Sequence, residues 1–591
     1  MRTLLMLLLF TETLSAQSQQ NVRQAIHRAL PVLQRSAAEF VAKRACVSCH
    51  HNILTILTLD LARSRGFEID SQVLGSVVDK TFRELRAANA LDDAIQATTL
   101  NDPTPNDSYL LMAAHDAGMP PDLVTAVYAR RLVLWQRDGH WITSDFRPPH
   151  SSSAFMATAT AIRAIRFYMP EELSRERDAA VRGARQWLFG NRPASTEDAA
   201  FRLMGLVWAE ASPDQIAAAR RDLIAMQKSN GGWAQLPDYD PEAYSTGEAL
   251  FALHEAGVPA TDSVSKKGLN FLISTQARDG TWLVRTRMLS PAGVSPKYFS
   301  TGFPYAKDEY LSYAGSCWAV MALLTALPEN ATPTQAVPAI ASDAPSWLRT
   351  ALFGTVGQLG ALLDAGLDPN SKTTNGTTVL MAAAPDAAKV RLLLSRGSDA
   401  KTRTASGTDA VTIAAAYRGT TASIQELLDA GAAVDAPQNV RVRNPPLVLA
   451  AMTGDLENLR LFLSHGAKAS EKALAQAVTF GYPDIVRTLI ATGANSQIVE
   501  SSGINLLHWA AIANRAAVIP ALVDAQVPIN AMDDNGFTPL MYAATIDFGD
   551  TDVLKALIKA GADKTIRSFE GRTPAAQARQ YKHSRLEAAL R

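Results

Sequence analysis

The sequence predicts an all-α protein made of two successive helical repeat systems: an (α/α)6 toroid over residues 17–326, then a solenoid of short helix pairs over residues 347–591. Three observations predict it. Helices rich in Ala, Ser and Thr recur six times in the amino-terminal half, a leucine-rich helix closed by a glycine turn recurs at a period near 33 in the other half, and a proline-rich stretch divides them. A chain of 591 residues is long enough for several domains.

The first element is a secretory signal over residues 1–16. It has a basic Arg2, an apolar run from Leu4 to Phe10 and Leu14-Ser15-Ala16 as a small-residue cleavage site. The run is too short for a bilayer, which takes roughly twenty residues, and no later segment is that long and free of charge. The expectation is a mature, exported protein with no integral membrane segment.

The toroid rests on six helices with small, polar starts: HHNILTILTLDLARSRG from 50, NDSYLLMAAHDAG from 106, SSAFMATATAIRAI from 152, STEDAAFRLMGLVWAE from 195, YSTGEALFALHEAG from 244 and YAGSCWAVMALLTAL from 313. Small residues suit inner helices that crowd around an axis, and intervening helices such as residues 121–131 and 215–227 supply the outer layer. The inner amino termini then open at one end, where free N–H groups favour anions. Loops at that mouth hold Asp145, Arg147 and His150; Asp238, Asp240 and Glu242; and Lys297, Tyr298, Tyr305, Lys307, Asp308 and Glu309. The insertion that begins at 290 is a candidate lid.

Three turns share one pattern: QRDGHW ending at Trp141, QKSNGGW ending at Trp233 and QARDGTW ending at Trp282; Arg185-Gln186-Trp187 is a degenerate fourth. They resemble the QW motifs of squalene-hopene cyclases and related prenyltransferase-like proteins. The resemblance implies a structural role, in which Gln ties off a helix end, Gly makes the turn and Trp packs on the Gln. Cyclases of that kind protonate an alkene with an Asp-x-Asp-Asp motif, and this chain has Leu236-Pro237-Asp238-Tyr239-Asp240-Pro241-Glu242, without the adjacent Asp pair. The fold is carried over and the activity is not. Asp238, Asp240 and Glu242 stay as the catalytic candidates of an enzyme alternative acting on a polyprenyl or a carbohydrate, against the plainer reading of a capping or solvated turn.

Cys46-Val47-Ser48-Cys49-His50 is a CxxCH behind the export signal, at the start of the first inner helix. Thiols at this spacing meet the two vinyl groups of one haem c, and the adjacent imidazole becomes an axial iron ligand. Cys46 and Cys49 are therefore read as covalent haem attachment sites, His50 as the axial ligand and His150 as a distal candidate. The rival readings are a local disulfide or a vestigial site. His51 is expected to be an exposed neighbour, and Cys317 a buried small hydrophobe. Three cysteines are too few for a disulfide-stapled scaffold.

Residues 327–346, LPENATPTQAVPAIASDAPS, read as a Pro/Ala-rich linker. Beyond it the turn glycines fall at 366, 397, 431, 466, 493 and 561, with Gln526 replacing one. The turn is joined by Asn535-Gly536-Phe537-Thr538-Pro539-Leu540-Met541-Tyr542-Ala543-Ala544 and weaker copies at 375 and 503. Thr caps a helix, Pro fits its first turn and alanines let helix pairs stack. About seven such units, ending in a polar cap from Thr573, resemble ankyrin repeats, which implies a surface for a protein partner.

With 57 basic and 57 acidic residues, long-range charge points neither to nucleic acid nor to an anionic membrane. The reading is an exported haem c protein of the bacterial periplasm with an ankyrin interaction array and a role in electron transfer. An enzymatic toroid and a non-catalytic scaffold are the alternatives, and a catalyst is the less favoured.

Overall fold

The computed structural model describes residues 14–98, 100, 102–288, 300–329, 344–435 and 444–591. Among them the protein is all-helical, with isolated β-bridges and no strand. Most of residues 1–16, the middle of the proline-rich stretch, and Lys297 and Tyr298 of the insertion lie outside the described residues.

The amino-terminal helices are α1 (Ala16–Lys43), α2 (Leu54–Ser64), α3 (Ser71–Thr81), α4 (Ala90–Gln96), α5 (Pro103–Asp116), α6 (Leu123–Trp135) and α7 (Ala154–Tyr168). They continue with α8 (Ser174–Gly190), α9 (Thr196–Trp208), α10 (Pro213–Ala225), α11 (Ala243–Glu255), α12 (Ser263–Thr275) and α13 (Glu309–Thr325). Helix α2 packs on α5, α5 on α7, α7 on α9, α9 on α11, α11 on α13, and α13 on α2, which closes a circle of six. Composition explains the closeness. A Cβ on Gly247 of α11 would lie 2.5 Å from the Trp318 carbonyl carbon of α13, so only glycine lets these two helices meet.

The outer helices are stitched together by the Gln/Trp turns. Trp141, Trp233 and Trp282 are buried, and their indole N–H groups donate to Leu132, Leu223 and Leu272 carbonyls at 2.7, 2.9 and 2.9 Å near the end of the preceding outer helix. Their backbone N–H groups donate to Thr158, Thr246 and Ser316 on the following inner helix. Gln136, Gln227 and Gln276 donate to the backbone of the next outer helix, at Ala180, Val264 and Ala25. The last of these joins α12 to α1 and so ties the end of the circle to its beginning. Gln thus reaches the neighbouring outer helix directly.

Among the described residues the carboxy-terminal region is eight helix pairs, from Leu348–Phe353 with Val356–Asp364 to Pro574–Gln580 with Ser584–Leu590. One more pair is present than the seven units counted from the motifs. Thr378, Thr538 and Thr573 cap their helices with the side-chain oxygen, and Pro539 and Pro574 occupy the first turn. Gln526 adopts φ 60°, the left-handed conformation its glycine counterparts take at the same turn.

This array lies across the end of the circle where the inner helices begin. Asp92 of α4 accepts from Asn375 at 2.9 Å and from the Thr373 and Thr377 hydroxyls. Trp135 donates to the Ala416 carbonyl at 2.8 Å, Arg287 to the Asp547 carbonyl at 2.8 Å, and Arg515 to the Thr143 carbonyl. Arg585 pairs with Asp238 at 2.9 Å. The surface of the repeats that the sequence assigns to a partner is thus partly engaged within the chain.

Candidate functional site

The CxxCH segment lies on the same rim, where Cys46 and Val47 stay exposed. Helix α1 ends at Lys43, and Arg44 to Ser48 are irregular before a π-turn, Cys49–Ile53, leads into α2. The Ser48 hydroxyl accepts from the His51 N–H at 3.1 Å. Asn52 accepts from the Ser48 N–H at 2.9 Å and donates to Thr81 of α3 at 3.2 Å, which pins the turn. A single π-turn of this kind is a local distortion that proteins place at functional sites. All three cysteines are free thiols, so the local disulfide is not formed.

Three imidazoles gather there. His50 and His51 share a hydrogen bond between their Nδ1 atoms, which leaves Nε2 of His50 outside that bond. His51 is buried rather than exposed: its ring stacks on Tyr313 at 3.8 Å, and its Nε2 bonds Ser36 Oγ at 3.1 Å. The chain of bonds runs on from Ser36 to Thr301 and from Thr301 to the Glu309 carboxylate. His150 bonds Tyr244 OH through Nδ1 at 3.1 Å, while its buried Nε2 has no partner among the described residues. The His50 and His150 ring centroids are 6.2 Å apart.

Burial sets the protonation of this group. It pushes His51 down to about 3 and His150 to about 4, in the second case against the Asp145 carboxylate. His50 is held well below its ordinary value by burial first and then by His51, His150 and Arg147. The Cys49 thiol is pushed up to about 11 by burial, although Arg147 opposes this. Burial also works against charge on Asp145, but the Arg147 guanidinium at 2.6 Å outweighs it and keeps that carboxyl below the usual range. At neutral pH the rim therefore presents neutral imidazoles and a protonated Cys49 thiol.

The other sequence candidates are spread out. Asp238 is tied to Arg585 and to Ser584 of the array, and Asp240 is exposed. Glu242 caps α11 by accepting from Tyr244 and Ser245 N–H at 2.6 and 2.9 Å, with its carboxyl raised by burial. Asp308 accepts from the Thr286 N–H, Tyr305 bonds Thr281, and Cys317 is buried. Among the described residues no three His, Cys, Asp or Glu side chains are grouped to hold a metal ion.

Sequence reasoning missed two residues at the axis. Glu197 of α9 and Glu248 of α11 are 3% and 0% exposed, and none of their carboxyl oxygens has a hydrogen-bond partner among the described residues. A carboxylate in the middle of an otherwise small and apolar inner helix is the signal that could have found Glu248.

A family model of ankyrin repeats (3 copies) matches residues 412–500 and 474–568. Over its repeats the chain is similar to an ankyrin repeat-containing protein, P1E11.10, of Schizosaccharomyces pombe, 37% identical over 67 residues, covering 11% of this chain and 31% of that one. It is also similar to palmitoyltransferase Hip14 of Drosophila melanogaster, 32% identical over 99 residues, 17% of this chain and 15% of that one. The chain thus spans less than a third of the curated relatives it matches. A crystal structure of the human ASB11 ankyrin repeat domain aligns at a TM-score of 0.29 and 21% identity, over 42% of this chain and 96% of that one. The carboxy-terminal region therefore carries ankyrin repeats, a module of protein interaction.

Proposed function

We propose that this chain is an exported, periplasmic haem c protein whose six-helix circle is an α/α toroid of the prenyltransferase-like kind and whose ankyrin array holds a protein partner. The observation that carries the reading is the rim itself: two thiols three positions apart where irregular backbone enters a π-turn, followed by an imidazole kept neutral. Cys46 and Cys49 would hold the porphyrin covalently, His50 would be the axial ligand, and the unpartnered Nε2 of His150 is the distal candidate. Among the described residues no three His, Cys, Asp or Glu side chains are grouped to hold a structural zinc, which takes four protein ligands, whereas a haem brings four nitrogens of its own. When bound, the iron supplies one-electron redox chemistry.

Asp238 and Glu242 already serve an ion pair and a helix cap, which supports binding over catalysis at that loop. Part of the array is occupied by the toroid, so an external partner meets the repeat surface left free. The test is expression of the full chain with a cytochrome c maturation system, followed by a pyridine haemochrome spectrum. A covalent haem absent from the wild type, or one retained when both Cys46 and Cys49 are changed to Ala, contradicts the proposal.

A further inference from the structure

Independently of any haem, the circle encloses buried acids whose carboxyl oxygens have no hydrogen-bond partner among the described residues. Glu197 is the second residue of α9 and Glu248 the sixth of α11, and these helices pack side by side. Both carboxyl oxygens of each are buried and unpartnered among the described residues, and so is the hydroxyl of Tyr109, on α5. Three inner helices thus contribute unsatisfied polar groups. The Tyr109 and Tyr244 rings both lie against the His150 ring, at 6.2 and 6.1 Å, which brings the polar groups of α5 and α11 to one region inside the circle.

Their charged neighbours are committed elsewhere. Arg287 donates to Gln235 and to the Asp547 carbonyl, Arg147 pairs with Asp145, and Asp198 caps α9 while accepting from Ser153. An isolated carboxylate this deep is costly unless a proton or a cation compensates it. We propose that the axis of the circle is a cation-binding site with Glu197 and Glu248 as its two carboxylate ligands and Tyr109 beside them. The ligand is a small, oxygen-seeking cation, either a hard metal ion or a primary ammonium. Zinc and its relatives are disfavoured, because no third His, Cys, Asp or Glu side chain joins a metal-holding group among the described residues. The Tyr109 and Tyr244 rings suit an ammonium as well as a metal.

A chain of hydrogen bonds links the site to the array. Thr196, next to Glu197, bonds the Ala234 and Gln235 carbonyls, and Gln235 in turn holds Arg287, which bridges to Asp547 of the repeats.

The experiment titrates the full chain with terbium(III), whose emission tyrosine sensitises when oxygen ligands hold it nearby, and competes it with calcium chloride and with methylammonium chloride. The expected result is one saturable site whose affinity falls at least tenfold in both Glu197→Gln and Glu248→Gln. Displacement by calcium identifies a metal site, and displacement by methylammonium alone an ammonium site. Saturable emission unchanged in the two variants, or no saturable site at all, overturns the proposal. Because the variants change the core, infrared spectra of the unaltered chain give a second reading: a protonated carboxyl band whose intensity does not fall at saturating concentrations of any of the cations overturns it too.

Discussion

Asp92→Ala tests how firmly the array is held against the circle. Asp92 is 8% exposed, and its carboxylate accepts from the Thr373 and Thr377 hydroxyls and the Asn375 amide. Hydrogen bonds to a charged group contribute about 1.5–3 kcal/mol each, and they are not additive within one network. Gln96 still donates to the Thr377 hydroxyl oxygen at 2.9 Å in the variant, so that oxygen keeps a bond as acceptor while the three donors lose Asp92. A net loss of about 2–4 kcal/mol is expected, equivalent to roughly 30- to 1,000-fold in the local opening equilibrium. The assay is amide hydrogen exchange across residues 370–380 and 90–97 in the full chain, which reads sub-global opening rather than one global transition. Protection should fall on both sides of the contact and stay unchanged at the far repeats around residues 552–590. Unchanged protection at both sites would mean that Asp92 does not clamp the two halves together.

Gln526 holds a left-handed turn that glycine fills in the sister repeats, so Gln526→Gly should raise stability by about 1 kcal/mol in urea titration; a loss would show that its side chain does more than tolerate the turn. Trp233→Phe removes the indole bond to the Leu223 carbonyl at 2.9 Å and leaves that acceptor unpaired, so a decrease of about 1–3 kcal/mol is expected, measured by denaturation. Burial and then Arg163 lower His115 to about 4. Its folded pKa lies below the unfolded value near 6.5, so the unfolded state takes the proton first and stability drops as pH falls from about 6.5 to about 4. His115→Gln should flatten the melting temperature against pH in that window, by less than about 1.4 kcal/mol per pH unit given its partial exposure.

The sequence made the helical repeats legible because each needs a recurring local device. The glycine turns, Thr caps and Gln-to-Trp turns are visible one residue at a time, and even Gln526 was recognisable by its place in the period. What it did not reveal depends on tertiary placement. His51 is buried because Phe40 and Tyr313, from α1 and α13, sandwich its ring, and no spacing near position 51 announces that. Cis engagement of the array uses single polar tips such as Thr373, Asn375 and Asp547, which carry no pattern of their own. Glu197 read as part of an ordinary polar helix start, and only the closed circle shows that its carboxyl turns inward to face no partner among the described residues.

The most direct measurement is intact mass of the exported full chain, with peptide mapping of residues 45–65, after expression beside a cytochrome c maturation system. The account predicts one haem per chain, linked through Cys46 and Cys49, with a reduced-minus-oxidised spectrum that changes on His50→Ala. An unmodified peptide carrying both free thiols would contradict it and leave the circle and its ankyrin array without a redox centre.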